Sequence, residues 1–265
     1  MKNELFISDY LKPLGRFGSA GKVHSIFDHS FNIQVDQQLI HVSQYHQYLS
    51  SYGIGLSPQL FEALHKMIRV GDWVKVRNDY LSFYSRAGIQ TIDLAFAHWI
   101  SLQVKGISFT CAQCAILKEQ LQQSALKMKI GLMIDHRTQY VIDEMHKENP
   151  NWKQIVGYLS GRGIGLTPSG DDILTGYALI LSVIDAPKCS GLFDEMKKIK
   201  NTTIISRAYF ETAILGYVHS LVYQLLISVR DARKEIIKKN LHMLLNVGHS
   251  SGADLAFGMY IALSR

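Results

Sequence analysis

The chain has 265 residues, 47% of them hydrophobic and 19% charged, which excludes a disordered chain and leaves room for one large core or two smaller ones. Its formal charge of +6 is spread along the sequence, and no RRM, KH, zinc-finger or helix-turn-helix signature accompanies it, so the expectation is anionic small molecules and no nucleic acid. Three cysteines, Cys111, Cys114 and Cys189, are too few and too odd in number for a secreted disulfide scaffold and fit a cytoplasmic protein.

The amino-terminal stretch MKNELFISDYLKPLG carries acidic residues and only a short apolar run, so it does not read as a signal peptide. From residue 21 to 43 polar and apolar residues alternate, with Val23, Phe27, Phe31, Ile33, Val35, Leu39, Ile40 and Val42 as the apolar set. That period of two predicts strands, with a turn at Asp36–Gln38. His24, His29, His41 and His46 fall in or beside this stretch without metal-ligand spacing and are expected at the surface. Residues 57–68 predict a short helix, with Ser57 as N-cap and Pro58 at its first position. Residues 71–85 return to strand style around a turn at Asn78-Asp79. The first part of the chain, residues 1–108, is therefore expected to be a mostly antiparallel sheet or partial barrel.

From Thr110 the period changes to 3.6. Cys111-Ala-Gln-Cys114 is formally a CxxC, but no second ligand pair follows at zinc spacing and no βα pattern precedes it, so a helix-face coincidence is the better reading. Six or so helices are predicted, including 115–134, 136–149, 171–184, one segment over 202–229, 232–246 and 253–265. The apolar stretches at 173–184 and 213–229 are too short, or too interrupted by His219, Ser220 and Gln224, to read as membrane spans. KEIIKK at 234–239 reads as a solvated helix face. The fold class is α+β, the sheet packed on a helical domain at residues 109–265.

The richest segment is GRGIGLTPSGDDILTG, residues 161–176. Its Ser169-Gly170-x-Asp172-x-x-x-Gly176 returns as Ser251-Gly252-x-Asp254-x-x-x-Gly258, each copy ahead of an apolar helix. In each, the glycine lies one helical turn after the aspartate on the same face, where it lets another backbone approach. Two such helices crossing at their glycines would bring Asp172 and Asp254 together. Either Thr167 caps a helix beginning at Pro168, or Ser169 caps one beginning at Gly170. In both registers more polar groups gather than a cap needs, Asp171 among them. The alternating Gly161, Gly163 and Gly165 free the backbone to aim N–H groups at an anion, with Arg162 as a charge partner. The loop is neither a Walker A nor a dinucleotide fingerprint. Carboxylates beside an anion site suit a cation between them, Mg²⁺ being the simplest, or a substrate with both donors and anionic groups. GIGLSP at 53–58 nearly repeats GIGLTP at 163–168 and is read as ordinary loop-to-helix grammar. Thr202, Thr203 and Ser206 place hydroxyls at another helix start, and His249 could act as an acid, a base or a turn contact.

GxGxGLTPSxDDxLxG, followed by TTIIS at 202–206 and GHSSGADLAFG at 248–258, resembles the AllH-like family, some of whose members have been labelled carboxylases. The family often has Pro where this chain has Ile164. The likeness is close in the helical half and one of style in the sheet half. It implies a cytoplasmic subunit of a carbamoyl- or carboxyl-transfer enzyme. One member is implicated in oxamate carbamoyltransferase during allantoin use, a branch of purine catabolism, beside an FdrA-type subunit. The substrate would be a small anion such as carbamoyl phosphate or an oxamate-like amide. On this reading the catalytic set is Asp171, Asp172, Asp254 and His249. The binding set is Arg162, Gly163, Gly165, Thr167, Ser169, Gly170, Thr203, Ser206, Ser251 and Gly252, with His249, Ser169 and Ser251 donating to charge on the carbonyl. Two alternatives stay open: a non-catalytic partner subunit in which the motif only caps and packs helices, and a stand-alone metal-dependent hydrolase, which needs more ligands than the sequence offers.

Overall fold

The computed structural model describes residues 5–44 and 48–265. His46 and the first four residues of the amino-terminal stretch lie outside them. The chain divides into two compact units, residues 1–103 with 217–220, and residues 104–216 with 221–265.

The first unit is a nine-stranded, mostly antiparallel sheet curled into a half-barrel. Its order is β8-β7-β6-β2-β3-β4-β5-β1-β9, with β1 Phe6–Ser8, β2 Ala20–Phe27, β3 Ser30–Val35, β4 Gln38–Gln44, β5 Gly53–Leu56, β6 Trp73–Val76, β7 Tyr80–Ser85, β8 Gly88–Asp93 and β9 His98–Ile100. The alternating run at 21–43 is three strands with two turns. The expected one lies after Val35, where Asp36 takes a left-handed φ of 50°. A second, at Asp28-His29, escapes the pattern because Phe27 and Phe31 keep the alternation going across it. GIGL at 53–56 is not loop but the buried strand β5, paired parallel to β4 and antiparallel to β1. The helix at 57–68 is α1, Pro58–Met67; Ser57 stands at the N-cap position without making the cap hydrogen bond. Phe31 anchors the sheet core, fully buried against the rings of Phe61 and Phe83. Each such ring contributes about 1.5–3 kcal/mol by leaving water.

His41 departs from the expected surface position. Its Nδ1 lies 3.0 Å from Asn32 Oδ1, and Asn32 Nδ2 donates to Ser25 Oγ at 3.0 Å, with Asn32 itself buried. Burial pushes the His41 imidazole down to about 4, and does the same to His219, in the segment that returns to this unit. Both rings are neutral in the fold but protonate near 6.5 once unfolded. Their folded values are depressed, so the stability they contribute is full above pH 6.5 and is lost as pH falls through about 4. Urea midpoints should therefore fall between pH 7 and pH 4.5 in the parent. In His41→Gln that fall should be smaller; an unchanged slope would contradict the assignment.

The second unit is helical: α2 Cys111–Gln123, α3 His136–Met145, α4 Trp152–Leu159, α5 Ser169–Ile184, α6 Ala186–Met196, α7 Ile204–Ile214, α8 Ser220–Arg230, α9 Lys234–Leu245 and α10 Ser251–Leu263. That is more helices than the sequence pattern counts. Pro187 starts α6 rather than only ending α5, because proline suits a first helical turn. The run at 202–229 is two helices, broken where Gly216 takes a φ of 83°. The run at 115–134 stops at Ser124, with Ala125 left-handed. Helix α5 buries 13 of its 16 residues and α10 buries 10 of its 13, so these two form the centre of the unit. Around α5 pack α4, α6 and α7; around α10 pack α2, α3 and α9. No helix among the described residues is long and apolar enough to cross a membrane.

Candidate functional site

Helices α5 and α10 meet at their glycines. A Cβ on Gly176 would stand 2.0 Å from the Leu255 carbonyl oxygen, and one on Gly258 would stand 2.1 Å from that of Ile173. Ile173 and Leu255 are equivalent positions of the repeated motif, so the contact is reciprocal. The correspondence continues upstream. The Leu159 carbonyl ends α4 by accepting from Arg162 N–H, and the Arg162 carbonyl accepts from Gly170 N–H at 2.8 Å. In the second copy, Leu244 accepts from Val247 N–H and Val247 accepts from Gly252 N–H at 3.1 Å. Gly170 and Gly252 each lie against the carbonyl of that same leucine, Leu159 or Leu244. Eight positions separate Arg162 from Gly170 but only five separate Val247 from Gly252, so the first loop is three residues longer. The additional length falls in the Gly163-Ile164-Gly165 stretch, where both glycines have positive φ and Ile164 is 96% exposed.

Neither expected capping register is realised. Helix α5 begins at Ser169, its N-cap position is Pro168, and no side chain makes a cap hydrogen bond. The first turn of α10 is likewise uncapped by its N-cap residue, Ser250. Thr167, Ser169, Asp171 and Asp172 are therefore all available for other contacts. Thr167 Oγ1 lies 2.7 Å from Ser251 Oγ, which joins the two helix starts. Asp171 is buried and accepts from Gly161 N–H at 2.8 Å and from the Thr202 hydroxyl. Burial raises its carboxyl above the usual range, and Thr202, Gly161 and the nearby Ser206 hydroxyl partly offset that. Asp171 thus ties the glycine loop to the start of α7. Thr202→Val should remove a donor to a buried carboxylate and cost about 1–3 kcal/mol; an unchanged denaturation midpoint would show that the bond contributes nothing.

Asp172 and Asp254 differ from Asp171. Asp254 Oδ1 accepts from Gly131 N–H at 2.9 Å, but its Oδ2 is buried without a hydrogen-bond partner. Asp172 Oδ2 is in the same condition. Burial pushes Asp172 well above the ordinary carboxylate range; the Ser251 and Thr167 hydroxyls pull it back, and the charges of Asp254 and Asp171 push it further. Burial also raises Asp254, against the pull of Ser250, Gly131 and Ser169. The duplicated aspartates are close enough to repel each other, and none of the described ion pairs includes either. Among the described residues no three His, Cys, Asp or Glu side chains are placed to hold a metal ion. A Mg²⁺ here would need ligands from a substrate or a second chain.

The remaining expected residues sort by position. Gly163 abuts Ser169, its Cβ position lying 2.6 Å from the Ser169 nitrogen, whereas Gly165 faces open space. Thr203 caps α7 through Ser206 N–H at 3.0 Å and donates to the Leu166 carbonyl at 2.5 Å, pinning the far end of the loop. Ser206 Oγ is buried, and apart from its pull on the Asp171 carboxyl it has no hydrogen-bond partner. Arg162 and His249 are exposed. Gly131 and Ser250 are site residues that sequence reasoning missed. Gly131 sits in KIGLMID, which carries no motif, and only folding brings it to Ser169, Ser250 and Asp254.

A family model described as oxamate carbamoyltransferase subunit AllH matches residues 159–263, and one described as the AllH family N-terminal domain matches residues 4–98. The chain belongs to the AllH family. The AllH match runs from the last residue of α4 through α10 and takes in both copies of the motif. The sheet unit, where the sequence gives a likeness of style only, has an AllH family domain of its own. No solved structure matches the chain.

Proposed function

We propose that this chain is a subunit of a cytoplasmic carbamoyl- or carboxyl-transferring enzyme and that the start of α5 and α10 is its substrate site. One observation carries the reading: two buried carboxylates, Asp172 and Asp254, stand at the meeting of two helix N-termini, each with an oxygen that no backbone N–H or cation meets, only the pull of neighbouring hydroxyls. Buried polar groups are normally satisfied, and an unsatisfied pair is costly unless a ligand completes it. An amide supplies what is lacking, because its –NH₂ has two donors for two oxygens. The helix N-termini, the Ser169 and Ser251 hydroxyls and the glycine loop favour the anionic end of the same molecule. A primary amide with an adjoining anion, as in an oxamate-like compound, meets both demands; carbamoyl phosphate does too.

The chemistry follows from the raised carboxyl. When an amide nitrogen attacks a carbamoyl carbon, an N–C bond forms, the bond to the leaving phosphate oxygen breaks, and the nitrogen must lose a proton. A carboxylate held above its ordinary range is a better acceptor for that proton than a solvated one. Asp172 takes this role and Asp254 positions the amide. The family name supports assembly with further subunits, for which an FdrA-type chain is the candidate. The test is carbamoyl transfer by the reconstituted complex carrying Asp172→Asn or Asp254→Asn. A loss of about 100-fold or more is expected, with the complex still assembling. Full activity in both variants would leave the non-catalytic, helix-packing reading as the better one.

A further inference from the structure

Tyr158, on α4, carries two guanidinium groups. Arg162 lies 3.9 Å and Arg137 5.4 Å from its ring centroid. The ring beneath them is fixed. Tyr158 is buried, and its phenol oxygen lies 2.7 Å from Thr138 Oγ1. Thr138 spends its one hydroxyl proton on the Met133 carbonyl at 3.0 Å, so the phenol is the donor to Thr138. Arg162 is fixed a second time, by Nε donating to the Tyr158 carbonyl at 2.9 Å. That leaves its two terminal nitrogens for something else.

Neither arginine has a counter-ion among the described ion pairs. The Asp135 carboxyl is held below its usual range by the Thr138 N–H and hydroxyl and, to a lesser degree, by the charge of Arg162. Its Oδ1 accepts that N–H at 2.7 Å, as the cap of α3. The two like charges held on one ring repel, and Asp135, turned to the cap of α3, makes an ion pair with neither. The place is apt. Arg162 opens the glycine loop, and its carbonyl holds Gly170 N–H in the first turn of α5. Helix α3 starts at His136, directly beside Arg137, and its first turn is already capped by Asp135, so the arginines themselves supply the free positive charge.

We propose that Arg137 and Arg162, mounted on Tyr158, form a clamp for a tetrahedral dianion, either inorganic phosphate or the phosphoryl end of an acyl phosphate. Two guanidinium forks match two negative charges and offer paired N–H donors to several oxygens at once. A carboxylate carries one charge and would leave one fork unpaired. The clamp deepens the proposed function by assigning the anionic end of the substrate. It rests on that reading only for the acyl phosphate, since binding of phosphate by this chain stands without it.

The experiment is calorimetric titration of the purified full-length chain with inorganic phosphate, acetyl phosphate and oxamate at low ionic strength. Arg137→Gln and Arg162→Gln should each weaken phosphate binding about tenfold or more, with unchanged melting curves. Arg137→Lys, which keeps the charge but loses the fork, should lie between them and the parent. Acetyl phosphate should show the same dependence if the phosphoryl end of an acyl phosphate is the physiological occupant; if phosphate alone shows it, the clamp holds released phosphate. Oxamate affinity should change less than about twofold. Asp172→Asn should leave phosphate affinity intact, so a failure of the transfer reading and a failure of the clamp give different results. Absence of phosphate binding in the parent, or equal binding in both glutamine variants, overturns the clamp. So does a loss confined to association with partner subunits, which would mean that the arginines hold an acidic protein surface.

Discussion

Gly176→Ala and Gly258→Ala should each lower the melting temperature by about 6–12 °C, from a loss of about 3 kcal/mol. The reason is the partner of the added methyl. At Gly176 it would stand 2.0 Å from Leu255 O, and at Gly258 2.1 Å from Ile173 O and 2.8 Å from Tyr177 N. All three are backbone atoms, so no side chain can turn away and the helices themselves must part. Parting them strips contact from α5 and α10 along most of their buried length. Because both substitutions push on the same crossing, the double variant should cost less than the two single costs added together. Gly157 is the internal control. It is exposed on α4, and a Cβ there meets nothing within 4 Å. Gly157→Ala should stabilise by about 0.5–1 kcal/mol, because alanine restricts the unfolded chain and favours the helix. Differential scanning calorimetry reads all four variants. Equal melting temperatures for Gly176→Ala and the parent would mean that the helices do not cross there.

The crossing was legible in the sequence because its cause is local. A glycine one turn after an aspartate, repeated at an offset of 82, states a close approach that only a missing Cβ allows. The antiparallel sheet was legible for a similar reason: alternation is written residue by residue at 21–43 and 71–85. GIGL shows where such reading stops. At 53–56 it is a buried strand whose first glycine lies against Ser50, and at 163–166 the same four letters form an exposed loop. Nothing in the tetrapeptide separates the two; the pairing of β5 with β4 and β1 does. The site divides in the same way. Asp172 and Asp254 announce themselves by repetition. Gly131 does not, because a backbone N–H is common to every residue but proline and becomes a site group only when 123 positions of chain bring it to Asp254. Thr202 suggests only a helix cap, yet its hydroxyl serves Asp171, and Thr203 makes the cap.

Asp172→Asn should raise stability at neutral pH while it removes activity. A buried carboxylate oxygen without a partner costs about 1–3 kcal/mol, and more when charged. Asparagine keeps the shape and removes the charge, so a gain of about 1–3 kcal/mol is expected at pH 7.5. The pH dependence follows from the direction of the shift. The folded carboxyl is raised by burial, so the folded state binds a proton more readily than the unfolded chain. The stability this supplies is full below the ordinary value near 3.8 and is lost as pH rises through the raised value. The advantage of Asp172→Asn over the parent should therefore be largest at neutral pH and shrink on acidification. Asp171→Asn should behave oppositely, because both Asp171 oxygens accept hydrogen bonds, from Gly161 N–H and Thr202 Oγ1. An amide there turns donors toward donors and costs stability. Chemical denaturation of both variants across pH 4.5–8 separates a strained pair kept for its chemistry from an ordinary structural carboxylate. If Asp172→Asn destabilises the fold as Asp171→Asn does, the Asp172 oxygen has a structural partner and the substrate reading of the pair fails.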